Sequence, residues 1–316
     1  MAQEKWRTMN KKNQNHFLDN GGTLLIMTAG ILWATMGIFV RQLTAYGLTS
    51  IQISCLRLTV AAVFYVVIML FQNPSGFRIN WRDIPLFFSL GLCGLAIVTC
   101  TNFTAIQMMS MSVASILMYT SPIWVMLMSI LFFHEKVTRR KLGALIIAFM
   151  GCILVSGSGG GLVTPVGIVL GIISGISYGS YSIIGTVALR KYPPLVVTTY
   201  SFLFAAMVMC IIARPSEFVT VYHAAGDKFG LVGWSVALGI VTAVVPHLLY
   251  TIGLKTTPAS KAAILATIEP MMTTLFGAVI YKEPLTWGSA LGIVCILGAV
   301  VILNVNLPVL SFQKSR

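Results

Sequence analysis

The sequence predicts an all-α integral membrane protein: ten transmembrane helices, arranged as two inverted five-helix repeats, with both termini cytoplasmic. Three observations predict this. Apolar runs with almost no charge recur along the whole chain, lysine and arginine gather on one side of them, and the second half repeats the first.

Hydrophobic residues make up 57% and charged residues 9% of the 316 positions, against about 25% charged in an ordinary globular chain. Runs of roughly 17–25 apolar residues recur, each long enough for a hydrocarbon core of about 30 Å. A soluble all-helical protein is excluded, because its helices would be apolar on every face.

In chain order the predicted spans are 23–40, 51–71, 84–103, 110–133, 142–156, 166–189, 195–212, 231–251, 260–281 and 288–305. Before them, 1–22 is a polar tail with Lys5, Arg7, Lys11 and Lys12; after them, 306–316 is a second tail. The first span is too long for a signal-peptide core and lacks a small-residue cleavage site, so it reads as a retained helix. Gly, Pro or Asn punctuates several short connections, at 73–76, 157–161, 193–194 and 256–258. Spans one to five form the first repeat, 23–156, and spans six to ten the second, 165–305.

Sixteen of the 21 Lys and Arg residues lie in the tails and the even-numbered connections, among them Arg78, Arg82, Arg139, Arg140, Arg190 and Lys255. Arg41, Arg214, Lys228 and Lys282 lie on the other side; with Lys261, at the cytoplasmic start of the ninth span, counted among the sixteen, Arg57 alone falls deep inside a span. Positive residues stay cytoplasmic, which places both tails inside. That bias accounts for the net charge of +13 without a nucleic-acid partner. The six cysteines all fall in spans, with no CxxC pair and no Cys/His grouping of zinc-ligand spacing. They read as buried thiols, and neither metal nor cofactor is expected.

A shift of 148 places aligns Ser112, Ala114, Ile116, Leu117, Pro122, Leu127, Glu135 and Thr138 with Ser260, Ala262, Ile264, Leu265, Pro270, Leu275, Glu283 and Thr286. A shift of 145 lays Gly30-Ile31 on Gly175-Ile176. Five helices per repeat is an odd number, so the second repeat must enter the membrane inverted. The matched Pro122 and Pro270 each remove a backbone hydrogen bond and clash with the carbonyl four residues earlier, so spans four and nine should kink there. Such a kink can be packing alone, or its freed carbonyls can line a cavity.

With Leu32-Trp33, Arg57 with Ala61-Ala62, Ser177-Tyr178-Gly179-Ser180-Tyr181 and the run Pro258-Ala259-Ser260 through Glu269-Pro270 to Glu283, the chain resembles the EamA-type exporters of the drug/metabolite transporter superfamily. It departs at Ala34, where members often have Gly, and at Tyr178, where they often have Trp. The resemblance implies a central cavity and export of amino acids, nucleobases or related metabolites from the cell (inner or plasma) membrane.

Arg57 and Glu269 are the two firmly intramembrane charges. Arg57 lies roughly 9 Å from the outer end of its span and Glu269 roughly 13–14 Å from the inner end of its own. A midmembrane charge costs at least about 2.5–3.5 kcal/mol on insertion scales, so each needs a partner or water. Either they pair and brace the repeats, or they face a cavity. There Arg57 attracts a carboxylate, and Glu269 an amino group or a coupling proton. His247 is a packing or relay histidine. Trp33, Tyr119, Trp124, Tyr178, Tyr181, Tyr200 and Tyr250 are candidates for an aromatic lining, or for core and interface packing. Glu135 and Glu283 read as helix-end residues paired with nearby cations.

A secondary-active exporter working by alternating access fits these features, with a small-molecule substrate, lipid contacts and proton coupling through Glu269. No phosphate-cradling loop is present to use ATP. The alternatives are an integral-membrane enzyme acting on lipid-like substrates and a facilitator without ion coupling. The enzyme would need clustered acids or histidines, whereas one acid is buried and His16, His134, His223 and His247 are scattered. The sequence leaves the oligomeric state open.

Overall fold

A backbone in hydrocarbon must satisfy its N–H and C=O groups within its own segment, and each apolar run of this chain does so as a helix. The computed structural model describes residues 21–157 and 163–304, and no strand occurs among the described residues. The long helices are α1 Gly21–Ala45, α2 Ser50–Gln72, α3 Trp81–Met108, α4 Met111–Phe133, α5 Arg139–Ser156, α6 Pro165–Ala188, α7 Pro194–Ile212, α8 Lys228–Leu254, α9 Ala259–Tyr281 and α10 Trp287–Asn304. Nine are long and apolar enough to cross a membrane. The other, α5, has eighteen residues and opens on Arg139, Arg140 and Lys141, charges that belong at a membrane surface. The two tails from 1–20 and 305–316, with the connection at 158–162, lie outside the described residues.

Helix ends pass the expected span limits. α1 continues through Arg41 to Ala45, and α3 begins at Trp81. Hydropathy stops where hydrocarbon stops, whereas hydrogen bonding carries the helix on through the interface. Capping then sets the ends: Thr49 and Gln52 make a capping box at α2, and Thr138 and Thr164 cap α5 and α6. A short helix, Pro215–Ala224, joins α7 to α8 and was not expected from the sequence.

The repeat extends to the backbone. α4 breaks between Met118 and Ser121, and α9 between Leu265 and Ile268. Each break precedes its proline: Pro122 leaves Met118 O without a helical donor, and Ala266 O takes Glu269 N–H at 3.0 Å instead. Both α4 and α9 end on a left-handed residue, His134 (φ 52°) and Lys282 (φ 58°). Six-residue closing bonds follow, Glu135 N to Ser129 O and Glu283 N to Gly277 O. α3 and α8 each contain a π-helical stretch, Leu92–Ile97 and Ile240–Val244. These stretches start 148 residues apart, the offset of the sequence repeat, although their side chains differ.

Equivalent helices of the two repeats pack on each other, α2 against α7 and α5 against α10. At the α5–α10 contact a Cβ on Gly151 would lie 2.9 Å from Gly292 O, and one on Gly292 2.8 Å from Gly151 O. Small residues thus let the backbones meet, as van der Waals packing in lipid requires. At the α2–α7 contact the Cys55 and Cys210 sulfurs come to 3.7 Å, a proximity invisible in their spacing. The outward surface is apolar, with Phe71 85% and Ile211 81% exposed. At one end Lys191 pairs with Asp83 at 2.7 Å, and Glu135 binds Lys141 and Ser260. At the other, Arg41 pairs with Glu283. Glu135 and Glu283 therefore pair with cations as expected, and Glu135 also ties α4 to the start of α9.

Candidate functional site

The breaks in α4 and α9 and the π stretch of α3 surround a cavity of about 300 Å³. Both repeats build its wall. Of the residues singled out in the sequence, Trp33, Arg57, Tyr119, Pro122, Tyr178, Tyr181, His247, Tyr250 and Glu269 line it. Pro270, Trp124 and Tyr200 do not. Pro270 is buried in α9 one residue beyond Glu269, and Trp124 donates to Thr120 within α4 at 3.0 Å. Tyr200 donates to Phe77 O at 3.1 Å and tilts against Phe87, 5.2 Å between centroids. An aromatic candidate read from composition cannot show which way its helix turns it.

Helix phase explains the grouping. Tyr178, Tyr181 and Ser182 fall at three- and four-residue spacing on one face of α6, while α1 and α8 supply Trp33, His247 and Tyr250. The Trp33 ring lies 4.9 Å from His247 and 5.3 Å from Tyr250, centroid to centroid. Its indole N–H, a donor only, reaches His247 Nδ1 at 3.2 Å, which makes that nitrogen the acceptor and puts the proton on Nε2. The single Tyr65 hydroxyl proton goes to Val244 O at 2.7 Å, with Ala243 O, 3.1 Å from the same His247 nitrogen, a weaker second acceptor at 3.4 Å. Ser177 donates to Cys93 O. A hydroxyl thus takes a carbonyl in each π stretch.

Glu269 sits in the first turn after the break in α9, where the helix dipole favours a negative charge. It accepts from the Tyr178 hydroxyl at 2.8 Å and from Tyr119 at 3.5 Å. Its contacts therefore reach α4 and α6. Arg57 does not form an ion pair with it: the ion pairs among the described residues are Arg41–Glu283, Lys141–Glu135 and Lys191–Asp83. Arg57 instead points Nη1 at the Met36 sulfur, 3.4 Å away, and its Nε has no partner. Two more buried atoms of the lining lack partners, Ser54 Oγ and Asn102 Oδ1. Neither residue was singled out in the sequence. Ser54 was legible in principle, three residues before Arg57 on the same helical face, whereas Asn102 joins the wall only through the packing of α3.

On one side of the cavity the Tyr181 and Thr251 hydroxyls lie 3.0 Å apart and those of Ser182 and Tyr250 2.8 Å apart. On the other side the wall continues through Met36 and Val40 to Ile106 and Met111, at the end of α1 and the α3–α4 connection.

Comparison with known proteins agrees with this architecture. The chain matches the EamA-like transporter family over residues 20–157 and again over 165–305. It is 28% identical over 245 residues to an uncharacterized transporter of Archaeoglobus fulgidus, covering 78% of this chain and 85% of that one. A second transporter of that organism is 28% identical over 289 residues, covering 89% and 95%. The pseudopaline exporter CntI of Pseudomonas aeruginosa is 26% identical over 168 residues, 53% of this chain and 51% of its own length. A solved crystal structure shares the fold, with a TM-score of 0.75 at 19% identity over 90% of this chain and 96% of that one. Two repeats that each match one family, in a bundle whose helices are made for lipid, identify this chain as a multi-pass cell-membrane transporter belonging to the EamA-like transporter family.

Proposed function

We propose that the chain is a secondary-active exporter of small metabolites that works by alternating access. Ten spans, two inverted repeats and cytoplasmic termini complete the reading. The observation that carries it is the cavity lined by both repeats, bordered by two hydroxyl pairs on the side of α6 and α8 and reaching Met36, Val40, Ile106 and Met111 on the other. On this reading, with the tails inside, the first side is cytoplasmic and the second outward. Inverted repeats make the opposite state accessible by exchanging the roles of equivalent helices. The two prolines supply the flexible points, since each break is a place where α4 or α9 can swing without losing a complete hydrogen bond. The apolar, aromatic wall suits a small organic cargo of the kind exported by metabolite transporters, with amino acids and nucleobases as the first classes to screen. Proteoliposome uptake over amino acids, nucleobases and cationic drugs, with and without a proton gradient, tests the function. Accumulation of a cargo that depends on the gradient is expected; no transport of any class overturns the reading.

Orientation has its own test. Single cysteines introduced in intact cells should react with an impermeant maleimide at Asp227, while those from 73 to 83 and at Arg139 stay protected. Labelling of Arg139→Cys from outside would reverse the assigned orientation.

A further inference from the structure

We infer that Arg57, with Ser54, forms an anion subsite, that Asn102 stands by as an acceptor for a donor on the same ligand, and that the cargo carries a single carboxylate. The inference rests on the transporter reading and names the chemical class of its substrate. Among the described residues lining the cavity, Arg57 is the one Lys or Arg and Glu269 the one acid. Glu269 is supplied with donors, since two tyrosine hydroxyls reach it. Arg57 is not supplied with acceptors: its hydrogen bond goes to a thioether, a weak acceptor, and Nε has none. Ser54, only 1% exposed, leaves its hydroxyl unpartnered three residues away on the same helix face. Asn102, across the wall on α3, leaves its side-chain oxygen unpartnered.

Buried polar groups are normally hydrogen-bonded, and each exception asks for an explanation. Three exceptions among the residues lining one cavity, one of them a guanidinium, mark polar groups that a ligand of matching chemistry could satisfy. A guanidinium presents parallel N–H donors that match the two oxygens of a carboxylate. Ser54 can add a donor to the same oxygens, and Asn102 Oδ1 can accept from an amino or hydroxyl group beside them. One guanidinium neutralises one negative charge. A dianionic phosphate would leave a charge uncompensated in a cavity that already holds Glu269, so a monoanion fits better. The aromatic rings of Trp33 and Tyr178, 6.4 Å apart, then receive its apolar body.

The test uses the purified full-length protein and three matched probes: phenylacetate, phenylacetamide and phenethylamine. Binding is read by calorimetry and by the shift in melting temperature. Phenylacetate is expected to bind at least about tenfold more tightly than the amide, since one charge-assisted, bidentate contact separates them. Arg57→Gln should abolish that preference, and Ser54→Ala should weaken it. Ligand-free Arg57→Gln should melt no lower than the parent, because removing an unpaired buried charge relieves desolvation. A lower melting temperature would mean that Arg57 braces the fold, and would overturn the assignment. So would equal binding of the three probes, no binding of any, or a preference that survives in Arg57→Gln. Counterflow on the same preparation separates this inference from the transporter reading. Transport of cargo without an anionic group sinks the carboxylate assignment alone, whereas carboxylate binding without transport of any substrate sinks the transporter reading and leaves the subsite standing.

Discussion

Gly175→Leu is expected to remove nearly all folded protein from the membrane, and Gly175→Ala to destabilise it by about 1–3 kcal/mol, the usual cost of overpacking. Gly175, on α6, lies against the break in α4. A Cβ there would sit 2.6 Å from Leu117 O, 2.6 Å from Thr120 Oγ1 and 3.3 Å from Met118 O. The carbonyls belong to the turn that Pro122 creates, so neither can move without rebuilding that turn. Its counterpart Gly30, on α1, lies against the break in α9, where the nearest atom is the Ile268 Cγ2 at 2.5 Å and the Ala266 carbonyl is 3.5 Å away. There a side-chain methyl has to yield, not a carbonyl of the turn, so Gly30→Ala should cost less. Gly143 has nothing within 4 Å of its would-be Cβ, and Gly143→Ala should leave the yield unchanged. Fluorescence-detected size exclusion with thermal challenge measures the series. If Gly175→Leu melts with the parent, the close approach of α6 to the α4 break is not what locks the two repeats together.

Glu269→Gln is expected to leave exchange intact while gradient-driven accumulation falls from the roughly tenfold ratio that one proton supports across a one-unit pH gradient to unity. The carboxyl joins three elements, since it stands at the break in α9 and accepts from Tyr119, at the break in α4, and from Tyr178 on α6. Ionised, it offers acceptors to both hydroxyls. Protonated, one of its oxygens carries a donor and offers the tyrosines one acceptor site fewer. If a proton binds at Glu269, the contacts between the two broken helices would change with it, which is the linkage that coupling requires. Its repeat equivalent, Ser121, cannot titrate, so such a switch would act on one half of the bundle. Glutamine keeps the size and an acceptor oxygen but has no proton to exchange. Full accumulation by a well-folded Glu269→Gln protein would assign the residue to bracing the break and the chain to a facilitator or another coupling group.

The same elements show how far the sequence could be read. Apolar length predicted ten spans, and nine of the described helices are fit to cross a membrane, the helix over 142–156 being the exception; shared Ser, Pro, Glu and Thr positions pointed to the 148-residue repeat. The breaks in α4 and α9 followed from proline chemistry, a local effect. The π stretches at Leu92–Ile97 and Ile240–Val244 were not legible, because no residue type encodes them; each has a carbonyl taken by a hydroxyl of a neighbouring helix, Ser177 or Tyr65. Trp124 and Tyr200 were set beside Tyr178 and Tyr181 by composition, and only helix packing showed that they face elsewhere.

The sequence by itself determined that this protein lives in a membrane, repeats itself, bends at two prolines and buries one arginine and one glutamate. Those are consequences of transfer free energy and backbone covalent chemistry, which act on each segment alone. Whether Arg57 and Glu269 meet was decided by tertiary structure. Similar depth in the bilayer allowed a pair, but rotation of α2 and α9 about their axes turned Arg57 toward Met36 and gave Glu269 to two tyrosines. Depth follows from counting residues along a helix. Azimuth follows from which neighbours a helix packs against, and no segment carries that information alone.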